Sequence, residues 1–134
     1  SEEFAMTAFQ AAALWIGLQT LLLIYLSVHV GQVRTKLKIN LGDGGNPEMT
    51  KAIRAHGNYT EYAPAALVGF LALAAVGANA AIIHGLGAFF LFARVAHMLG
   101  LGLGVWPQGR FVGTLCTMLT LLVTAGLLIY FAAT

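Results

Sequence analysis

Three long stretches of the chain, residues 4–33, 62–93 and 111–134, contain no Asp, Glu, Lys or Arg. Each exceeds the roughly 20 residues that a helix needs to cross the hydrocarbon core of a bilayer. The polar residues are bunched between them. Arg34-Thr-Lys-Leu-Lys38 closes the first apolar run, and the glycine-rich segment Asn40-Leu-Gly-Asp-Gly-Gly-Asn46 follows. Asn46-Pro47-Glu48 then supplies an N-cap, a proline at the first helical position and an acidic first turn. Gly77-Ala-Asn79 and Trp106-Pro107-Gln-Gly109 are the remaining punctuation. The pattern predicts helices over 7–37, 47–76, 80–104 and 109–133: an all-α, polytopic, four-transmembrane-helix bundle. Residues 6–134 read as a single domain, and residues 1–5 as an expression remnant ahead of a natural Met6. The first apolar run lacks a basic n-region and is too long for a signal peptide.

Composition agrees. Of 134 residues, 59% are hydrophobic and 9% charged, against about 25% charged in a typical soluble domain; the mean hydropathy is +0.82. All seven Lys and Arg fall between Arg34 and Arg110, most of them at predicted membrane edges. They form no separate basic face, so nucleic acid is not an expected partner. The one cysteine, Cys116, excludes an intrachain disulfide. His29, His56 and His84 have no metal-ligand spacing beside Cys or carboxylates, and no metal is expected. The Gly-Asp-Gly-Gly-Asn segment lacks the context of a phosphate loop and reads as a flexible linker. Gly100, Gly102 and Gly104 read as permitting close helix packing.

Arg34, Lys36, Lys38, Lys51 and Arg54 surround the first loop and Arg110 borders the third, while the second has no basic residue. The positive-inside rule then puts loops 1 and 3 in the cytoplasm and both termini outside. Helix 2, about 45 Å long against a core of about 30 Å, should project on the cytoplasmic side. Pro64 predicts a kink within it.

Arg54, Asn58 and Glu61 follow i, i+4, i+7 spacing and share one face of helix 2; Arg94 and His97, at i, i+3, share one face of helix 3. Helix 1 delivers Arg34 and helix 4 Arg110 to the same membrane level. A Glu61–Arg94 salt bridge with the other residues snorkelling to the interface is the plain structural reading. For the whole set it leaves arginines unpaired. Surplus arginine suits a ligand with carboxylates, which guanidinium grips through two bonds; Glu61 and Asn58 would then take an amine or amide. Tyr59 and Tyr62 flank this face as candidate pocket residues.

In order and spacing these motifs resemble the MAPEG family, membrane-associated proteins in eicosanoid and glutathione metabolism. The matching residues are Gly31-Gln-Val-Arg34, Asn46-Pro47-Glu48, Arg54-Ala-His-x-Asn58-x-x-Glu61 with Tyr62 and Pro64, Ala93-Arg94-Val-Ala-His97, and Pro107-x-x-Arg110. The resemblance implies a homotrimer with glutathione bound between subunits, open to the cytoplasm. It implies glutathione-binding or pocket-organising roles for Arg34, Arg54, Asn58, Glu61, Arg94 and His97. Arg110 matches the arginine credited with stabilising the glutathione thiolate. Leu101, Phe111 and Gly57 replace a tyrosine, a serine and an arginine of eicosanoid-converting members. They imply a bacterial-type glutathione transferase or peroxidase of the inner membrane, acting on lipophilic molecules. A non-catalytic lipid-binding member of the family and a small proton-coupled transporter using Glu61 are the alternatives.

Overall fold

A computed structural model describes residues 6–134; the reading of residues 1–5 lies outside them. Four helices run in order: α1 Ala8–Leu37, α2 Pro47–Ala75, α3 Ala80–His97 and α4 Gly109–Ala133, with a π-helical turn, Met98–Gly102, ending α3. Helix α1 packs on α2 and α3, and α4 packs on α3 and α2. The apolar character of α1, α3 through Gly102, and α4 makes each long and apolar enough to cross a membrane. Helix α2 has the length, with 29 residues, but Glu48, Lys51, Arg54 and Glu61 make its first half polar.

The ends of the helices carry their own stop and start signals. Thr7 and Gln10 form a reciprocal capping box at α1. Asn46 accepts the Glu48 and Met49 amides at α2, and Asn79 accepts the Ile82 amide at α3. Gly77, at φ 103°, lets the Ala78 amide reach back to the Leu73 carbonyl at 3.0 Å, closing α2 in a Schellman turn. The predicted tight turn at 77–79 therefore forms.

Loop 1 differs from a featureless linker. Arg34 Nη1 donates to the Gly42 carbonyl at 2.7 Å. Asp43 accepts from the Gly45 amide at 2.9 Å and from the Thr50 hydroxyl at 3.0 Å. Glycine fits the left-handed backbone at positions 42, 44 and 45, and the side chains on either side fix the rest.

The core lies between α1, α2 and α3, with Phe70 and Phe90 edge-to-face at 6.0 Å. Close approach depends on missing side chains: a Cβ on Gly87 would collide with the Trp15 ring, and one on Gly69 would lie 2.5 Å from Thr124 Cγ2. Trp15 Nε1 donates to His84 Nδ1 at 2.9 Å, tying α1 to α3. Large apolar side chains cover the outside as well as the interior, with Leu21, Leu122 and Ile129 63–70% exposed. That arrangement suits lipid or further protein around the bundle and not water.

Candidate functional site

The charged residues of α2 and α3 do not pair as the plain reading predicts. Arg54 Nη2 lies 3.2 and 3.3 Å from the two carboxylate oxygens of Glu61, two turns along the same helix. Both side chains are half exposed. The Arg54 guanidinium folds down over Gly57, where a Cβ would stand 2.8 Å from Nη1. The absence of a side chain at 57 thus gives Arg54 its path along the helix toward Glu61.

Arg94 is 2% exposed and turns to neutral partners. Its Nη2 donates to Asn58 Oδ1 at 2.7 Å and its Nη1 to Thr117 Oγ1 at 3.2 Å. The guanidinium carbon stands 5.6 Å from the centre of the Tyr59 ring, within cation–π range. Nε has no partner. Among the described residues no carboxylate lies within ion-pair distance of Arg94, so the Glu61–Arg94 bridge is replaced by Arg54–Glu61 and Arg94–Asn58. A guanidinium has no acceptor. The Asn58 amide must therefore face Arg94 with its oxygen and leave its nitrogen to donate elsewhere. Of the two groups expected to take an amine or amide, Asn58 thus already has one lone pair of its oxygen engaged by Arg94.

His97, 2% exposed, is packed against α4: a Cβ on Gly113 would stand 2.6 Å from His97 Cβ. Arg110, in the first turn of α4, is exposed, and its backbone nitrogen lies directly against Gly100. Arg34 stands at the end of α1, where its hydrogen bonds go to the carbonyls of Ile39 and Gly42. The fold thus joins Arg54 with Glu61 along one face of α2, and Asn58 of that face with Arg94 of α3. It brings His97 to the start of α4 and commits Arg34 to loop 1.

Tyr59 presents its ring to Arg94 and to a small apolar cavity beside Thr20 and Pro64, and turns its hydroxyl into the bundle. It is 3% exposed, and its hydroxyl lies 2.8 Å from the Gln19 backbone oxygen and 2.9 Å from its side-chain amide. One hydroxyl proton serves the carbonyl. A half-turn of the amide directs its nitrogen to the phenol oxygen, and its oxygen then takes the position that has no partner. Gln19 and Thr117 are the polar residues that sequence reasoning passed over. Their signal was present: an amide in an uncharged apolar run, and threonines at 117, 120 and 124 at helical spacing, all buried. The glycine triplet also divides. Gly100 abuts α4, a Cβ on Gly102 would be 3.3 Å from Ala55, and Gly104 has open space with φ +69°. Gly104 serves the backbone turn, and not packing.

Fold and site together define a polytopic helical-bundle membrane protein with a polar, arginine-rich cluster at the α2–α3 contact. The chain belongs to the MAPEG family, whose model matches residues 12–130. It is 36% identical over 118 residues to the inner membrane protein YecN of Escherichia coli strain K12, covering 87% of this chain and 89% of that protein. YecN of Escherichia coli O6:H1 strain CFT073 matches to the same extent.

Proposed function

We infer that this chain is a glutathione-dependent transferase or peroxidase of a bacterial inner membrane, acting on lipophilic electrophiles. The observation that carries the reading is the arginine excess around Asn58 and Glu61. Arg94 has only neutral partners, Arg54 has one half-exposed carboxylate, and Arg110 has no ion pair among the described residues. Glutathione brings two carboxylates and one ammonium, which suits this balance of arginine against Glu61. Asn58, its oxygen occupied by Arg94, offers N–H donors to a carboxylate or peptide carbonyl. The inner-membrane location of YecN supports the same location here.

The reaction needs a thiolate, whereas a free thiol has a pKa of about 8.5. The Arg110 guanidinium, in the first turn of α4 near the positive end of the helix, would favour the anion. Each unit of lowering corresponds to about 1.4 kcal/mol. In conjugation the thiolate sulfur forms a bond to an electrophilic carbon, and the displaced electron pair leaves with the departing group. In peroxide reduction the sulfur attacks a peroxide oxygen and the O–O bond breaks. A second glutathione then gives the disulfide, while the peroxide becomes alcohol and water. A homotrimer with loops 1 and 3 in the cytoplasm would place the exposed α2 face and Arg34 of neighbouring copies at a shared boundary.

The test is calorimetric titration of glutathione into detergent-purified protein, with ultraviolet absorbance following the bound thiolate against pH. Binding with a thiol pKa below that of free glutathione is the expected result. No binding to folded protein would overturn the reading in favour of a lipid-binding member of the family.

A further inference from the structure

His29 lies two turns before the end of α1, away from the arginine cluster, and its spacing alone gives it no role. In the fold its Nε2 meets the Gly102 carbonyl oxygen at 3.3 Å, across 73 residues of sequence. A carbonyl only accepts, so Nε2 carries the proton and donates. The imidazole is stacked on Tyr25 one turn earlier, with ring planes within 1° and centroids 6.4 Å apart. The ring is therefore held on one side and engaged at one nitrogen.

Its acceptor belongs to the π-helical turn Met98–Gly102. Such turns are rare, and this one contains two glycines, which weaken helical structure. It is closed by the Leu103 amide on the Met98 carbonyl at 2.9 Å. The Leu99 carbonyl accepts both the Val105 and the Trp106 amides, at 3.0 and 3.1 Å, tying the turn to the loop before α4. The turn packs on α2, with Leu101 buried and Gly102 close to Ala55, but between it, α1 and the start of α2 a cavity of about 260 Å³ opens, lined by His29, Glu48, Lys51 and Leu101–Gly104. A directional bond from α1 is what spans that space.

On its other side the turn meets α4 directly at Gly100, and the last two turns of α3 before it lie equally close to α4. Gly100 lies against the Arg110 backbone nitrogen, Gly109 against the Ala96 carbonyl, and Gly113 against the Ala93 carbonyl and His97. Backbone-to-backbone contacts of this kind have no rotamers to absorb a shift. A displacement of the π-turn therefore passes directly to the first turn of α4. The Arg110 guanidinium has no ion-pair partner among the described residues, so the contact sets the point from which the side chain extends.

We propose that His29 is a positioning residue: its hydrogen bond to Gly102 holds the π-helical turn in register and, through Gly100, sets where Arg110 stands. The inference rests on the proposed glutathione chemistry only for what Arg110 then does.

Two variants of the full chain separate the donor from the ring. His29→Phe keeps an aromatic ring against Tyr25 and loses the donor; His29→Gln keeps an N–H donor. Amide hydrogen exchange over residues 98–113 needs no ligand. It should quicken about two- to tenfold in His29→Phe, the span of one net hydrogen bond, and stay near wild type in His29→Gln. Where glutathione binds, His29→Phe should also return the bound thiol pKa toward its free value while affinity changes less than threefold. Unchanged exchange in His29→Phe, equal effects in both variants, or faster exchange with an unshifted bound thiol pKa would each overturn the proposal. Should His29→Phe not fold, imidazole nitrogen shifts of the wild-type protein decide: Nε2 must be protonated, and a neutral ring protonated only at Nδ1 overturns it. Failure of glutathione to bind the wild type removes the proposed function, while the exchange result still judges His29.

Discussion

Arg94 and Asn58, 36 residues apart on α3 and α2, are joined by a 2.7 Å bond from Nη2 to Oδ1, and that bond fixes the polarity of the amide. Asn58→Ala should leave the buried guanidinium with Thr117 as its one hydrogen-bonded neighbour and cost about 1.5–3 kcal/mol, as for other bonds to charged groups. Asn58→Asp should retain more stability, because it gives Arg94 a carboxylate, but should weaken glutathione binding more than tenfold by replacing an N–H donor with a negative oxygen. Thermal unfolding in detergent and calorimetric titration separate the two effects. Equal binding by Asn58→Asp and wild type would contradict the donor role.

Arg54→Ala and Glu61→Gln break a half-exposed pair, so each should change stability by less than about 1 kcal/mol. Their expected effect is on glutathione affinity. Arg110→Ala should instead lower turnover more than affinity, because its proposed partner is the thiolate. Steady-state kinetics of the three folded variants give the comparison, and near-wild-type values in all three would remove the site assignment.

Tyr59→Phe deletes the hydroxyl that meets Gln19 inside the bundle. Leaving the buried Gln19 side-chain amide unpaired should cost about 1–3 kcal/mol with little change in glutathione affinity. A large loss of binding without loss of stability would place the Tyr59 hydroxyl in the ligand pocket.

Gly100→Ala would drive a Cβ into the Arg110 backbone nitrogen and to 2.8 Å from the Gly109 carbonyl carbon. Neither atom can rotate away, so the change should destabilise by about 1–3 kcal/mol or more. Gly17→Ala and Gly126→Ala meet nothing within 4 Å. Within their helices they should be neutral or stabilise by up to about 1 kcal/mol. Thermal unfolding of the three variants tests the order.

The Asp43 carboxyl is held below its ordinary value of 3.8, first by the Gly45 amide and then by the Thr50 hydroxyl. A depressed folded-state pKa contributes stability above the unfolded value and loses it as pH falls through the folded one. Loop 1 should therefore keep its order at neutral pH and loosen below about pH 3.8. Limited proteolysis by an acid protease checks this: faster cleavage between residues 38 and 46 as pH falls, with Asp43→Asn cleaved readily throughout.

The helices and their ends were legible because each signal is local. Uncharged runs longer than the bilayer core, Asn46-Pro47-Glu48, and Gly77 before Asn79 act through the backbone within a few residues. One boundary escaped. The helical pattern from 80 to 104 gives no sign that the hydrogen-bond register changes after His97, since the turn lies against elements distant in sequence, His29 of α1 and the start of α4 at Gly100. The polar set was likewise recognised as residues and mispaired as contacts. Spacing placed Arg54, Asn58 and Glu61 on one face, but which arginine reaches Glu61 depends on the space above Gly57. The neutral partners of Arg94 come from α2 and α4.

The sequence by itself determined that this is a membrane-embedded four-helix chain of the MAPEG family, because hydrophobic length, capping and motif order are properties of the one-dimensional string. Tertiary structure alone decided that Arg94 is buried against Asn58 and Thr117, that Tyr59 turns inward to Gln19, and that the π-turn joins His29 to the start of α4. Those outcomes turn on a few ångströms of separation between helices, set by where glycines admit a neighbouring backbone and where a buried donor finds its acceptor.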